Sequence, residues 1–329
     1  MERSDRHFRY LMRLVSPEAR LYTEMITSAA LLRGDTSRLL AFDPSEHPVA
    51  AQLGGSDPKA LADSARLVAD AGYDEVNLNV GCPSSRVQAG DFGARLMLDP
   101  GRVAECVAAM REATDLPVTV KTRIGVDEHD DYEILRGLTE RVVDAGVAGL
   151  IVHARKAWLS GLSPKQNREI PPLDYARVYR LKREFSDLPI VINGGLTTEK
   201  QVFDQLGKVD GVMLGRSAYH DPMLVGRLDA RLFGAAGAVP IPETEVLRQY
   251  ASYIHSETEK GTPLRAMSRH LVGVIKHRPG ARRWRRRLSE LSSAETGIDQ
   301  LLAELTSMPT GTRYNEKGDA EAPANNETR

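Results

Sequence analysis

A single cysteine stands where a predicted strand gives way to a loop. The alternating run Val76–Val80 ends at Gly81, which is followed by Cys82 and Pro83. Glycine permits a tight backbone turn and proline fixes the exit of the chain, so the thiol is carried to a strand end. A thiol there can donate a proton or act as a nucleophile, whereas a lone cysteine is often only a small core side chain. Cys106 lies among the apolar residues of an amphipathic helix, and we predict that it is buried.

Cationic side chains follow two further predicted strands. Lys121 and Arg123 come after Val118–Val120, and strand alternation places both on the same side of the chain. His153 and Arg155 repeat this pattern after the next strand. Two cations at a strand end are not an ordinary solvated face, so they indicate an anionic or electron-rich ligand such as a flavin ring.

Glycines end the last two predicted strands, in Asn193-Gly194-Gly195 and Gly215-Arg216. Glycine allows backbone N–H groups to approach a phosphate, and β/α barrels often bind phosphate in these two loops. Gln52 ends an earlier strand and is suited to bonding a ring edge, although glutamine is also an ordinary structural residue there. The glycine loops together predict a phosphate site.

Seven β-rich runs must carry these residues. They are Leu21–Met25, Val49–Leu53, Asp74–Val80, Val118–Thr122, Gly149–His153, Ile190–Ile192 and Gly211–Leu214. The amphipathic stretches between them include Pro58–Ala71, Pro100–Thr114, Tyr132–Ala145, Leu173–Phe185 and Thr198–Gly207, and a further helix is predicted within residues 1–20. This alternation predicts α/β architecture with parallel strands and crossover helices.

The position of the polar residues favours a (β/α)8 TIM barrel over an open sheet. Polar side chains follow the strands throughout the series, and the phosphate-type glycines come after the last two strands. The eighth strand of such a barrel would precede residue 1. We therefore expect a TIM barrel whose first strand is missing from this chain.

A change in pattern divides the chain. Strand signals stop near Pro240, and only helical spacing is found from 243 to 306, after a linker that contains glycine and proline. We predict a catalytic barrel in residues 1–239 and a helical domain in residues 240–308. Residues 309–329 contain almost no apolar residues and are predicted to be disordered.

Positive charge is concentrated in the predicted helical domain. Ten Lys and Arg residues and no Asp or Glu lie between Lys260 and Ser289, although the net charge of the whole chain is -1. A one-sided cluster with Trp284 embedded in it favours a nucleic-acid surface over an ordinary basic face. A long loop, Lys156–Pro172, adds Lys165 and Arg168 beside His153.

Composition limits the class of protein. Two cysteines in 329 residues exclude a disulfide framework and fit a reducing compartment. No apolar stretch is long enough to span a membrane, and the first residues are charged rather than apolar. We expect a soluble, cytoplasmic protein.

Five segments together resemble the tRNA-dihydrouridine synthases. They are NLNVGCPSSRVQAGDFGARLM, VKTRIGVD, VHARKAWLSGLSPKQNREIPPLDY, INGGL and VMLGRSAYHDP, in that order. The resemblance covers roughly residues 5–308, and the segment Ala157–Tyr175 is similar to the A subfamily. It implies an FMN-binding TIM barrel with a helical tRNA-binding domain, which reduces a D-loop uridine at position 20 or 20a with NADPH as the reductant.

The resemblance also implies roles for individual residues. Cys82 matches the general acid that protonates C5 of the uracil, while hydride reaches C6 from N5 of the reduced flavin. The matching cofactor-binding residues are Gln52, Lys121, His153, Asn193, Gly194, Gly195, Gly215 and Arg216. The matching tRNA-binding residues are Asn79, which would lie near the flipped-out uridine, and Lys165, Arg168, Arg282 and Arg285. Arg283 and Arg286 have the same spacing as Arg282 and Arg285 and stay open as the alternative pair. We expect no metal, no membrane and no obligatory protein partner.

The chain departs from the family pattern in two places, at its start and at residue 95. The family's first strand and its Ala-Pro-Met turn have no counterpart here, and Arg3 stands where an aromatic residue is usual; Arg95 stands where cysteine is common. Two alternatives therefore stay open. One is an FMN-dependent dehydrogenase of a free pyrimidine of the dihydroorotate type, against which the basic domain argues. The other is a tRNA-binding protein whose catalysis is impaired by the missing strand.

Overall fold

The computed structural model describes residues 3–276, 280–290 and 303. It contains a strand in each of the seven predicted places. The strands are β1 (Leu21–Thr27), β2 (Val49–Gly54), β3 (Glu75–Val80), β4 (Val118–Arg123), β5 (Gly149–His153), β6 (Ile190–Asn193) and β7 (Gly211–Met213). The seven predicted strands are thus confirmed, with boundaries that differ by one or two residues.

Helices follow the strands and also extend beyond the last of them. The helices are α1 (Arg6–Val15), α2 (Ser28–Arg33), α3 (Thr36–Leu39), α4 (Pro58–Asp70), α5 (Ser85–Ala89), α6 (Pro100–Ala113), α7 (Tyr132–Asp144), α8 (Tyr175–Glu184), α9 (Glu199–Phe203), α10 (Arg216–His220), α11 (Pro222–Leu232), α12 (Glu243–Glu259), α13 (Leu264–Ser268) and α14 (Ala281–Glu290). Short 3-10 helices lie at Gly93–Leu98, Gln166–Arg168 and Arg269–Gly273, among others.

The strands form one parallel sheet in sequence order. Each strand pairs with the next, from β1 with β2 to β6 with β7. Crossover helices connect the strands, as parallel pairing requires. The predicted α/β architecture is confirmed in this form, and closure of the sheet into a TIM barrel stays a prediction.

Three of the longer helices begin at an Asp-Pro pair. The Asp99 carboxylate accepts a hydrogen bond from the Arg102 backbone N–H at 3.0 Å, and Pro100 occupies the first helical position of α6. α4 and α11 begin in the same way, at Asp57 and Asp221. An aspartate accepts one of the unpaired N–H groups of the first turn, and proline lacks an N–H that would need a partner, so these pairs fix where the helices start.

Within the described residues the chain forms two compact units. One comprises Met1–Arg6, Arg20–Leu196 and Val202–Gly215, and therefore contains the whole sheet. The other comprises His7–Ala19, Thr197–Gln201 and Arg216–Arg329, and contains α1 and α10 to α14. The predicted functional division at residue 240 stays a prediction.

The predicted disordered tail, 309–329, lies outside the described residues, as do most residues of the helical pattern predicted after 290. Among the helices that are described, none has the length and apolar character needed to cross a membrane.

Candidate functional site

Predicted cofactor-binding side chains from four strands share one face of the sheet. Pairing aligns Gln52 with Asn77, and Asn79 with Lys121. Further along, Arg123 aligns with His153 on β5, and His153 with Asn193 on β6. Because alternate residues of a strand face the same side, Gln52, Lys121, His153 and Asn193 all belong to this face. We call it the functional face.

The cysteine loop is held by side chains of the functional face. The Asn79 side-chain oxygen accepts hydrogen bonds from the backbone N–H groups of Gly81, at 3.1 Å, and Cys82, at 3.0 Å. The Cys82 thiol is partly exposed and lies 3.6 Å from the Ser84 hydroxyl oxygen. Asn79 therefore positions the backbone that carries the thiol. Cys106, by contrast, is fully buried as predicted, and burial raises the pKa of its thiol to about 12.

A glycine permits close packing against the cysteine loop. The Ala94 backbone N–H donates to the Cys82 carbonyl oxygen at 3.0 Å. Gly93 has a φ of +74°, and a Cβ built there would lie 2.5 Å from that same oxygen. Only glycine satisfies both the left-handed backbone and the close approach. The segment that follows α5 thus contacts the carbonyl group of Cys82, whereas Asn79 bonds its backbone N–H.

Two cations flank the cysteine loop on β4. Burial, followed by the neighbouring Arg123 guanidinium, lowers the pKa of the Lys121 ammonium to about 8, while the Cys82 thiol group acts in the opposite direction. Among the residues that the structure describes, none accepts a hydrogen bond from the Lys121 ammonium. A half-buried ammonium without an acceptor is poised to bind an anion or a carbonyl oxygen.

Arg123 has a different role from Lys121. Its Nε donates to the Gly81 carbonyl oxygen at 2.9 Å, and its Nη1 donates to the carbonyl oxygens of Lys156 and Asn167, each at 3.0 Å. Burial lowers the pKa of this guanidinium to about 10, so it remains charged at neutral pH. Arg123 thus bonds the protein backbone through Nε and Nη1, whereas ligand binding by Lys121 stays a prediction.

The long loop after β5, residues 154–174, is fastened to the cysteine loop. The buried Asn167 accepts from the Trp158 N–H at 2.7 Å and donates to the Trp158 carbonyl at 2.9 Å, which closes the loop on itself. Gln88 on α5 then donates from one Nε2 to the carbonyl oxygens of Pro83, at 2.8 Å, and Leu159, at 2.6 Å. Gln88 and Arg123 are therefore two separate links between these loops.

The predicted tRNA-binding residues of this loop lie near its outer end. Lys165 is exposed and Arg168 is half-buried, on either side of the buried Asn167. Arg168 is close enough to Arg123 to lower the pKa of that guanidinium.

The glycines after β6 have the backbone that a phosphate loop requires. Gly194 and Gly195 have φ values of +115° and +74°. A Cβ at Gly194 would lie 3.2 Å from Nε2 of His153, and one at Gly195 would lie 2.4 Å from Leu173. The Tyr175 hydroxyl donates to the Gly194 carbonyl at 2.6 Å, which ties this turn to the first residue of α8.

The remaining predicted phosphate residues are open to solvent or pair locally. The Asn193 side-chain nitrogen donates to the Met213 carbonyl on β7 at 2.7 Å. This bond links the ends of β6 and β7, and one side-chain donor of Asn193 is therefore used within the protein. Gly215 is exposed, with no atom within 4 Å of a Cβ built on it. Arg216 follows it in the chain and is exposed.

The basic helix α14 has an apolar side and an arginine side. Ala281, Trp284 and Leu288 are buried, whereas Arg282, Arg283, Arg285 and Arg286 are exposed. The Trp284 indole N–H donates to the Leu271 carbonyl at 3.2 Å. The interpretation of Trp284 as part of a polyanion surface is thus wrong, because the indole is core and the helix periodicity points it away from the arginines.

The exposed arginines of α14 differ in their contacts. Within the described residues, Arg282 and Arg285 form no hydrogen bond or ion pair, whereas Arg283, Arg286 and Arg287 have interactions inside the chain. Arginines without an acidic neighbour keep all their donors for an external anion. The assignment of tRNA binding to Arg282 and Arg285 stays a prediction.

Sequence reasoning missed several residues that hold the site together. Gln88, Gly93 and Asn167 carry no chemistry of their own, and each acts on a residue distant in the chain. Thr119 and Glu75 lie on the functional face below Lys121 and Asn79. Strand alternation was a sufficient signal for these last two, since each is two residues, or an even number, from a predicted site residue.

Comparison with known proteins gives a consistent result. A family model described as dihydrouridine synthase (Dus) matches residues 1–308. A protein named tRNA-dihydrouridine(20/20a) synthase from Xanthomonas axonopodis pv. citri is 52% identical over 290 residues, which cover 88% of this chain and 86% of that protein. Proteins of the same name from Shewanella oneidensis (53% over 287 residues, 87% and 85% covered) and Escherichia coli O6:H1 (51% over 297 residues, 90% and 89% covered) are similarly related.

The match extends through the sheet, the cysteine loop, the 154–174 loop and the basic helix α14, so it includes every part of the site described above. The chain belongs to the dihydrouridine synthase family.

Proposed function

We propose that this chain reduces a D-loop uridine of tRNA, at position 20 or 20a, to 5,6-dihydrouridine, with bound FMN and with NADPH as the reductant. The observation that carries the proposal is a partly exposed thiol, Cys82, held by Asn79 beside the Lys121 ammonium. The names of the relatives, tRNA-dihydrouridine(20/20a) synthase, support the choice of substrate and position.

The residues present fit FMN. The Lys121 ammonium has no acceptor among the described residues, and it would hold the ring edge that becomes anionic on reduction. Gln52 lies on the same face and would bond a polar ring edge. The left-handed turn at Gly194 and Gly195 and the open Gly215 would admit the phosphate. His153 and Arg216 complete the proposed cofactor-binding set, together with Asn193.

FMN supplies the hydride to C6 of the uracil when it is bound and reduced. Cys82 then delivers the proton to C5, so that two electrons and two hydrogens are added across the C5–C6 bond. For this role the thiol must be protonated and fixed in position, and the bonds from Asn79 to the loop backbone fix it.

Two basic segments would bind the tRNA. Lys165 and Arg168 lie on the loop that Gln88 and Arg123 fasten to the cysteine loop, so a contact there is linked to the reacting centre. Within the part of the chain that the structure describes, the guanidinium groups of Arg282 and Arg285 on α14 form no hydrogen bond or ion pair. Asn79 would lie near the uridine, which has to leave its stack to reach the site. A cytoplasmic location and the absence of a protein partner remain predictions.

Purified protein reconstituted with FMN should oxidise NADPH in the presence of unmodified tRNA, and mass mapping should find dihydrouridine in the D-loop. Cys82→Ala should retain FMN and its reduction by NADPH but lose at least about a hundredfold in tRNA reduction, since a general acid contributes that much. Cys106→Ala, at the buried cysteine, is the matched control and should keep the activity.

The same assay separates the alternative functions. Oxidation of NADPH with free uracil or dihydroorotate, and none with tRNA, would replace the proposed function with that of a free-pyrimidine dehydrogenase. Binding of tRNA without any reduction by the FMN-loaded protein would instead indicate a binding protein. Full activity of Cys82→Ala would remove Cys82 from the reaction.

A further inference from the structure

A row of polar side chains crosses the functional face from its buried end. Glu75, at the start of β3, is almost completely buried. Its carboxylate accepts hydrogen bonds from the Thr119 hydroxyl, at 2.5 Å, and from the Tyr22 hydroxyl, at 3.0 Å, and it forms an ion pair with Arg20. The Glu75 carboxylate therefore has three partners, and it fixes where the Thr119 proton points.

The row continues from Thr119 to the cysteine loop. The Asn77 amide donates to the Thr119 oxygen at 2.8 Å, and the Gln52 amide donates to the Asn77 oxygen at 2.8 Å. The Asn79 amide donates in turn to the Gln52 oxygen at 2.8 Å. Finally, the Asn79 oxygen accepts from the Gly81 and Cys82 backbone N–H groups. We call Glu75, Thr119, Asn77, Gln52 and Asn79 the polar row.

The two ends of the polar row determine the direction of every bond in it. An amide side chain can be turned by half a rotation to exchange its oxygen and nitrogen, so its orientation is normally ambiguous. Here an ionised carboxylate at one end can only accept, and backbone N–H groups at the other end can only donate. With both ends fixed, reversal of any one amide would place two donors or two acceptors face to face at a buried position.

We propose that the polar row, rooted at Glu75, fixes the orientation of the Asn79 amide and thereby the position of the Cys82 loop. Glu75, Thr119 and Asn77 are then positioning residues, since they act on the site through Gln52 and Asn79. The inference rests on the proposed function for its catalytic consequence, while the arrangement of the loop does not depend on which substrate binds.

The fixed direction also determines what the site offers a ligand. The Asn79 oxygen is occupied by two N–H groups, and one of the two hydrogens of its nitrogen is given to Gln52. Only a donor is left. This donor can bond a carbonyl oxygen of a bound ligand.

The test is the removal of one hydroxyl from the interior of the row. Thr119→Val keeps the shape but removes the acceptor of the Asn77 amide and one of the donors to Glu75. Thr119→Ser keeps the hydroxyl and is the matched control. In the FMN-free protein, we expect amide hydrogen exchange in the peptide containing Gly81 and Cys82 to accelerate about tenfold in Thr119→Val and to be unchanged in Thr119→Ser. Alkylation of Cys82 by iodoacetamide should accelerate in the same variant.

In the FMN-loaded protein, Thr119→Val should oxidise its reduced flavin with tRNA about tenfold more slowly, with reduction by NADPH unchanged and with rescue in Thr119→Ser. The proposal would be overturned if Thr119→Val had the same hydrogen exchange, the same rate of Cys82 alkylation and the same rate of tRNA-dependent flavin oxidation as the wild type. If circular dichroism shows that Thr119→Val does not fold, Asn77→Val interrupts the row at the next residue and is read by the same measurements.

Failure of the proposed function is recognised separately. A wild-type protein that does not reduce tRNA would contradict the function, but hydrogen exchange and alkylation of the FMN-free variants would still decide whether the polar row holds the Cys82 loop. Faster exchange without slower tRNA reduction would limit the row to a structural role and so overturn its part in positioning.

Discussion

Lys121 shows how a single residue can be placed for chemistry at the expense of stability. Its ammonium is half-buried beside the guanidinium of Arg123, and no described residue accepts a hydrogen bond from it. Neutralisation in the folded protein is easier than in the unfolded chain, because the pKa of Lys121 is lowered to about 8 from its ordinary value near 10.5. Removal of the charge should therefore stabilise the protein and weaken its binding of FMN.

We expect Lys121→Met to raise the free energy of unfolding of the FMN-free protein at pH 7. The unfolded wild-type chain binds more protons than the folded one between pH 8 and about 10.5, so wild-type stability from this group rises across that interval. The advantage of Lys121→Met should therefore be largest below pH 8 and shrink toward pH 10.5. Urea unfolding at several pH values measures this difference.

The control for this prediction is Lys59→Met, which removes a highly exposed ammonium from α4. The difference in free energy of unfolding between Lys59→Met and the wild type should not shrink above pH 8. A stability difference for Lys121→Met that stays constant from pH 7 to 10.5, or that has the opposite sign, would contradict the assignment of a buried, destabilised ammonium.

At the scale of elements, two loops of the first unit behave as one piece. Gln88 bonds Pro83 of the cysteine loop and Leu159 of the 154–174 loop, and Arg123 bonds Gly81 and the carbonyl of Asn167. These bonds come from side chains rather than from strand pairing, so either can be removed without changing the sheet. The loop that is proposed to touch tRNA is thereby connected to the loop that carries the thiol.

Gln88→Ala should separate the two loops while leaving the sheet and the flavin site intact. We expect the apparent affinity for tRNA and the rate of its reduction to fall together by about three- to tenfold, since two hydrogen bonds of ordinary strength are lost. Reduction of bound flavin by NADPH should not change. Stopped-flow measurement of the two half-reactions checks this.

Gln249→Ala on α12 removes a glutamine that bonds only the nearby Glu245, and it should leave both half-reactions unchanged. Wild-type tRNA kinetics in Gln88→Ala would mean that Arg123 alone is sufficient to join the loops. An equal loss in both half-reactions would indicate a general disturbance of the site instead.

The difference between local signals and contacts that are distant in the chain explains what could be predicted from the sequence. All seven strands and most helices were predictable, because short apolar runs and Asp-Pro helix starts act locally. The shared face of Lys121 and Arg123 followed from alternation. The different roles of Lys121 and Arg123 could not be predicted in this way. The backbone groups that Arg123 bonds are 33 to 44 residues away from it in the sequence, on either side. The roles assigned to the site residues stay predictions.

At the scale of the whole molecule, the basic residues are unevenly distributed along the chain, and this distribution bears on tRNA binding. The ten basic residues between Lys260 and Ser289 leave 34 Lys and Arg against 45 Asp and Glu in the rest of the chain. A net charge near zero therefore hides a basic segment in an otherwise acidic protein. Polyanion binding should depend on that segment and on salt rather than on the net charge.

The double variant Arg282→Ala, Arg285→Ala should weaken tRNA binding and lower the slope of log affinity against log salt by about two, if each guanidinium neutralises one phosphate. NADPH-dependent flavin reduction should be unaffected. Filter binding or fluorescence anisotropy from low to moderate salt measures the slope.

Arg66→Ala on α4 removes one exposed guanidinium and should alter neither affinity nor slope appreciably. An unchanged slope in the double variant would shift the contact to Arg283 and Arg286, which have interactions within the chain. The single variants then identify which of these arginines carries it.

The burial of Trp284 has a practical consequence for following this protein in solution. The chain has two tryptophans, Trp284 in the core behind the arginines of α14 and the half-buried Trp158 in the 154–174 loop, below the Lys156 ammonium. Each compact unit therefore has one intrinsic fluorophore beside one proposed tRNA contact. Acrylamide should quench Trp158 first, and a Trp158→Phe protein would report on α14 alone, so unlabelled protein can distinguish engagement of the loop from engagement of the helix.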